Sequence, residues 1–234
     1  MTMLTATDRL FSLIAPHICK GCGEVGNSLC SRCIINMLNN THPICVMCGK
    51  TAKRGNLCDS CRRHNKLFND IISIGPREGA LKSLVGDYKY FSEVECYKPI
   101  STLLRARLTD YRHTKLVFVP IPTVPSHIRE RGFDHMLLVA KELSKLFDDA
   151  RTDNSLLYRT DNLSQHEQNS ADRRTKIKKS IMPNKLAKID PTATYVVLDD
   201  IWTTGSTAKR AGEALKELGA KNIICAVAAY QPKI

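Results

Sequence analysis

The sequence predicts an α/β protein: a parallel sheet covered on both faces by helices, preceded by a small cysteine-rich unit. Two observations carry this. Apolar strand-like runs alternate with helix-like segments beyond Lys66, and eight of the ten cysteines crowd between positions 19 and 61. The change of pattern divides the 234 residues into units at 1–66 and 67–234. A composition of 43% hydrophobic and 25% charged residues is that of a globular chain.

The β-branched run Ile71–Ile74 opens the alternation. Helical spacing follows over Val94–Leu108, with apolar residues at Val94, Tyr97, Ile100, Leu103, Leu104 and Leu108. Leu116–Pro120 reads as a strand, and Asp134–Phe147 as an amphipathic helix capped by Asp134. Tyr195–Asp199 is the next strand. Ser206–Leu218 is a helix closed by Gly219, and Asn222–Ala229 is a final buried strand. Strands separated by helices pair in parallel and become buried on both faces. Cys96 and Cys225 fall on an apolar helix face and in the last strand, which is core packing.

No apolar run approaches the roughly 18–20 residues of a spanning helix, so no membrane insertion is expected. A secretory signal is also not expected, since Asp8 and Arg9 precede a short run, Leu10–Ile14, broken by Pro16 and His17. The expectation is a cytoplasmic protein. Ser126 and His127 suggest no hydrolase, for want of a Gly-x-Ser-x-Gly elbow.

The eight clustered cysteines form four Cys-x-x-Cys pairs: Cys19/Cys22, Cys30/Cys33, Cys45/Cys48 and Cys58/Cys61. Such a pair folds into a knuckle that aims both sulfurs at one point, and two knuckles complete a tetrahedron around Zn²⁺. Gly21, Gly23 and Gly49 stand where the knuckles turn. A disulfide framework would require export, and a redox pair would be single. Iron–sulfur proteins use other spacings. The expectation is two structural zinc sites with four thiolates each, paired sequentially or crossed. His17, His42 and His64 flank them as surface or packing residues. Residues 1–66 hold too few large apolar side chains to order so many loops without metal.

The net charge is +12, which makes a polyanion the first partner to consider. Zinc changes that figure. Each Zn(Cys)₄ site carries a net charge of −2, so two sites lower +12 to about +8. The excess outside the cysteine-rich unit lies in Ala171–Lys188, with Arg173, Arg174, Lys176, Lys178, Lys179, Lys185 and Lys188 against Asp172 alone.

The segment Tyr195–Thr207 carries the chemistry. An apolar strand ends in Asp199 and Asp200, and a loop of Thr203, Thr204, Gly205, Ser206 and Thr207 opens directly into a helix. Backbone amides at a helix start hold phosphate, and the loop hydroxyls add donors. The two carboxylates are acceptor-only groups suited to sugar hydroxyls. A phosphate beside a ribose diol describes a 5-phosphoribosyl group. The segment resembles the phosphoribosyl diphosphate (PRPP) motif of type I phosphoribosyltransferases; it lacks the spacing of a Walker A loop.

Three further segments extend the likeness. Val119-Pro-Ile-Pro122, followed by Arg129-Glu-Arg-Gly-Phe-Asp-His135, resembles the "VPVP … RGFNQ" region of ComF-family proteins, with Asp134 in place of Asn. Gly86-Asp-Tyr-Lys-Tyr90 resembles their "LKY-G" segment. Gln165–Ile181 resembles a Q-x-x-L-x-x-x-x-R-x-x-N-x-x-x-x-F pattern, with Gln165 and Arg173 in register and Gln168, Lys176 and Ile181 in place of Leu, Asn and Phe.

The resemblance implies a type I phosphoribosyltransferase-like parallel-sheet domain behind an N-terminal double zinc ribbon. It places Val119–Pro122 near a diphosphate-binding turn, with Arg129, Arg131 and Arg173 as basic candidates. Mg²⁺ would enter with PRPP. Prolines at 120 and 122 remove amides a diphosphate would use, which argues for altered or lost turnover. The resemblance further implies a role in natural transformation, with single-stranded DNA and competence helicase proteins as partners. The alternative is an active transferase joining PRPP to an unidentified acceptor.

Overall fold

The computed structural model describes residues 16–40, 43–52, 57–90, 93–160 and 180–232. Its strands are β1 Asp70–Pro76, β2 Leu116–Pro120, β3 Ala150–Thr152, β4 Leu157–Arg159, β5 Ile181–Pro183, β6 Thr194–Trp202 and β7 Asn222–Tyr230. Its helices are α1 Ser31–Asn39, α2 Asp59–His64, α3 Gly79–Tyr90, α4 Tyr97–Arg107, α5 Pro125–Arg131, α6 His135–Lys145 and α7 Ser206–Glu217. Five strands form one parallel sheet in the order β1-β7-β6-β2-β3, while β4 and β5 form a separate antiparallel pair. No helix among the described residues is long and apolar enough to cross a membrane.

Side chains alternate across each strand, so a strand buried on both sides feeds two cores. Phe118, Val196, Leu198 and Ile224 face one core, with Leu81 and Leu84 of α3, Ile100 and Leu103 of α4, and Val139 and Leu143 of α6. Val117, Val119, Val197 and Cys225 face the other, with Ala208, Ala211 and Leu215 of α7. Cys96 and Cys225 are fully buried, in keeping with a packing role.

The cysteine-rich unit divides between these cores. Cys19 and Leu29 join the first, with Ile34, Met37 and Leu38 of the ribbon helix α1 packed behind them. Cys45, Val46, Ala52 and Leu57 join the second. Two ribbons adjacent in sequence therefore sit on opposite faces of the sheet.

Most expected elements are present, with shifted ends. Val94–Cys96 forms a 3₁₀ turn and the α-helix begins at Tyr97, where Pro99 is tolerated in a first turn that uses no amide donor. Asp134 caps α6 by accepting from the Leu137 amide at 3.2 Å. Helix α3 has no counterpart in the sequence reading. It contains Gly79 and Gly86, poor helix formers, yet burial of Leu81, Leu84, Val85 and Tyr88 overrides that preference. Strands of three residues, such as β3, are too short to show a period.

Candidate phosphoribosyl site and zinc centres

Each cysteine cluster is sequential rather than crossed. The sulfurs of Cys19, Cys22, Cys30 and Cys33 lie within 4.8 Å of one another, as do those of Cys45, Cys48, Cys58 and Cys61. The Cys22–Cys30 and Cys48–Cys58 sulfurs are each 3.7 Å apart. Tetrahedral Zn²⁺ with bonds of about 2.3 Å requires an edge of about 3.8 Å, so the residues fit the ion. Backbone amides support the thiolate charge. Cys30 N–H donates to Cys19 Sγ at 3.3 Å. Cys61 N–H donates to Cys58 Sγ and holds that thiol down at about 7. Four thiolates close each site, so zinc here would be structural.

The glycines serve these knuckles as their type requires. Gly23 and Gly49 take matching left-handed turns, φ 77° and 75°. A Cβ on Gly21 would stand 2.6 Å from Cys33 Sγ.

At the carboxyl end of β6 the chain turns through Thr203 and Thr204 into Gly205, the left-handed N-cap of α7 at φ 71°. The Trp202 ring lies against this glycine, and a Cβ there would come within 2.2 Å of Cζ2. Trp202 itself is buried, edge-on to Phe68. A rigid aromatic floor thus fixes an open loop. Thr203 and Thr204 are exposed, Ser206 and Thr207 are half-buried, and the Thr204 and Ser206 hydroxyls share a hydrogen bond of 2.7 Å. The loop follows the strand beside β2, where open parallel sheets form their crevice.

The two aspartates differ. Asp200 is buried and salt-bridged to Lys89 Nζ at 2.6 Å, with His135 Nε2 at 3.1 Å. On the other side of that imidazole, Arg131 Nη1 lies 3.0 Å from Nδ1. Guanidinium can only donate, so Nδ1 accepts and Nε2–H donates to Asp200, which makes His135 neutral. Burial opposes the charge on Asp200, yet His135 and Lys89 hold its carboxyl well below the usual range. Asp199 is half-buried and accepts from the Asp200 amide at 2.9 Å. Burial and the neighbouring Asp200 charge push it up to about 7.

The turn after β2 is short of donors. Pro120 and Pro122 have no amide, and the Ile121 amide is bonded to the Leu198 carbonyl at 3.0 Å. Arg159 Nε donates to the Pro122 carbonyl at 3.0 Å, and the Arg159 charge also acts on Asp199. Of the basic candidates, Arg131 reaches the site through His135, while Arg129 is exposed on α5. Arg173 lies outside the described residues, as do Arg174, Lys176, Lys178 and Lys179 of the 171–188 basic stretch. Lys89, His135 and Arg159 join the site only through the fold. Lys89 and His135 lie inside the quoted Gly86–Tyr90 and Arg129–His135 segments, whereas Arg159 stands alone in sequence.

Comparison with known proteins bears on both halves. Residues 133–233 match the phosphoribosyl transferase domain family, and residues 10–62 match the double zinc ribbon domain family. The chain is 24% identical to Competence protein F of Haemophilus influenzae over 88% of its own length and 90% of that protein. It is 23% identical to Competence protein ComFC of Bacillus subtilis, over 82% of this chain and 79% of that one. The chain thus resembles competence proteins of the ComF family along most of its length.

Solved structures similar to this chain include an allosteric regulatory enzyme of purine biosynthesis, at 14% identity and TM-score 0.40, covering 61% of this chain and 30% of that one. A hypoxanthine phosphoribosyltransferase from Staphylococcus aureus matches at 20% identity and TM-score 0.36, covering 58% of this chain and 62% of that one. Both cysteine clusters fall within the matched ribbon segment, and the β6–α7 loop falls within the matched transferase segment.

Proposed function

We propose that this protein binds a 5-phosphoribosyl ligand, PRPP with Mg²⁺, and acts in the cytoplasm on single-stranded DNA during natural transformation. One observation carries the ligand: the open Thr203–Thr207 loop, held by left-handed Gly205 over Trp202 at the start of α7. Its amides and hydroxyls would take the 5′-phosphate, and half-exposed Asp199 would accept from a ribose hydroxyl. Asp200 already has two internal partners, and its role is to hold Lys89 at the site. The donor-poor turn at Pro120–Pro122 favours binding over turnover of a diphosphate. The names of the two competence relatives support the cellular role.

Trp202 is the only tryptophan, so its emission reports the loop directly. PRPP with Mg²⁺ is expected to change that emission saturably, and Asp199→Ala with Thr204→Ala to abolish the change. No response at millimolar PRPP, or one that survives both substitutions, would overturn the ligand assignment.

A further inference from the structure

At the opposite end of the sheet from this loop lies a second concavity, of about 310 Å³. It is lined by Arg62 from the second ribbon, Lys66 from the linker, and Lys216 and Lys221 from the end of α7 and the turn into β7. Helix α7 runs from one end to the other, and its 12 residues place the two sites about 18 Å apart. No carboxylate is among the lining residues.

Two of the four cations are held in place. Arg62 is fixed by Asp70 Oδ2 and the Asn69 carbonyl, each at 3.1 Å. Lys216 Nζ donates to the Lys66 carbonyl at 3.2 Å. Among the described residues, no carboxylate pairs with Lys66, Lys216 or Lys221. Four cations around one hollow repel each other, and only Arg62 carries a counter-charge, so the hollow favours an anion. The end of α7 presents carbonyls here, and Lys216 in its last turn offsets that partial negative charge. The one aromatic lining residue, Phe68, is buried and shows no face for a base to stack on.

We infer that this cavity is a nucleic-acid backbone site: it takes the phosphodiesters of a bound strand, without reading bases. The inference rests on the DNA-handling part of the proposed function and adds the surface that performs it. It also separates the two ligands. A strand held at the amino ends of β1 and β7 does not cover the Thr203–Thr207 loop, so DNA and PRPP bind together.

The test uses the full chain, a labelled oligothymidylate and the variant Lys66→Gln/Lys221→Gln, which removes two exposed charges. Four phosphate contacts predict a log–log salt slope of about −2.8, and loss of two makes it shallower by about 1.4, or about 25-fold weaker at 0.1 M salt. The control Lys141→Gln, an exposed residue of α6, leaves affinity and slope unchanged. The Trp202 response to PRPP stays at the level of the unaltered protein in both variants, which shows that they fold. A double variant that keeps the original affinity and slope overturns the cavity while leaving DNA binding in place. An unaltered protein that binds no oligonucleotide at low salt overturns the DNA reading and the cavity with it, while the Trp202 response judges PRPP separately.

Discussion

The two ribbons share one plan and serve different halves of the molecule. In each, the first knuckle closes with a glycine amide bonded to a cysteine carbonyl, Gly23 to Cys19 at 2.9 Å and Gly49 to Cys45 at 2.8 Å. Each also has one antiparallel bridge, Ile18 to Val25 and Ile44 to Thr51. Their attachments differ. The first ribbon reaches α3 through Lys20, which pairs with Asp87 at 2.6 Å and Glu93 at 2.9 Å. Two residues beyond Asp87 stands Lys89, the partner of Asp200. The second ribbon reaches the amino end of β1 through Arg62 and Asp70. One cysteine cluster therefore braces the candidate phosphoribosyl site and the other braces the cationic cavity. The same plan is attached differently because each ribbon packs on its own core.

Removing one centre at a time is the strongest way to break this comparison. Structural zinc contributes on the order of 10–16 kcal/mol of apparent binding free energy in finger peptides, so a lost ligand unfolds its ribbon. Cys30→Ser and Cys58→Ser should each lower the bound zinc from two ions per chain to one, measured by elemental analysis. Cys30→Ser is expected to weaken the Trp202 response to PRPP and spare oligonucleotide binding; Cys58→Ser is expected to do the reverse. If either variant loses both, the ribbons act as a single brace.

A smaller effect is expected from the buried pair itself. Lys89→Met leaves the Asp200 carboxylate with neutral His135 alone, a cost of about 3 kcal/mol in urea unfolding at neutral pH. Adding Asp200→Asn removes the uncompensated charge and should recover most of that loss. Asp199 behaves oppositely. Its pKa is raised in the fold to about 7, so its contribution to stability is full below the unfolded value of about 3.9 and is lost as pH rises through about 7. Asp199→Asn should therefore gain on the unaltered protein between pH 5 and pH 8. A gap that does not change with pH would show that Asp199 is not raised.

Much of this architecture was legible because local chemistry fixes it. Four Cys-x-x-Cys pairs allow few geometries, and the Tyr195–Thr207 order of strand, acids and small polar loop leaves one place for each residue. Asp134 was readable as a cap for the same reason. Tertiary partners were not readable. Lys89 meets Asp200 across 111 positions of chain, and no local pattern records that encounter. The cationic cavity draws Arg62 and Lys221 from opposite ends of the sequence, so counting charge along the chain pointed instead to 171–188. The pairing of the thiolates had two readings until folding placed consecutive knuckles together.

The least costly substitutions sharpen the comparison furthest, because they loosen each ribbon without removing its metal. The Lys20 side chain is 15% exposed and holds two carboxylates, whereas that of Arg62 is 40% exposed and holds one at 3.1 Å. Charged hydrogen bonds with little solvent are worth about 2 kcal/mol, and exposed ion pairs less than about 1. Lys20→Met should accordingly lower the unfolding midpoint more than Arg62→Gln. The binding readouts should rank the other way for DNA, since Arg62→Gln removes one phosphate contact and makes the salt slope shallower by about 0.7. Lys20→Met, on the far face, should leave that slope alone while shifting the Trp202 response through α3. Equal slopes for the two variants would mean that Arg62 touches no phosphate and only ties its ribbon to β1.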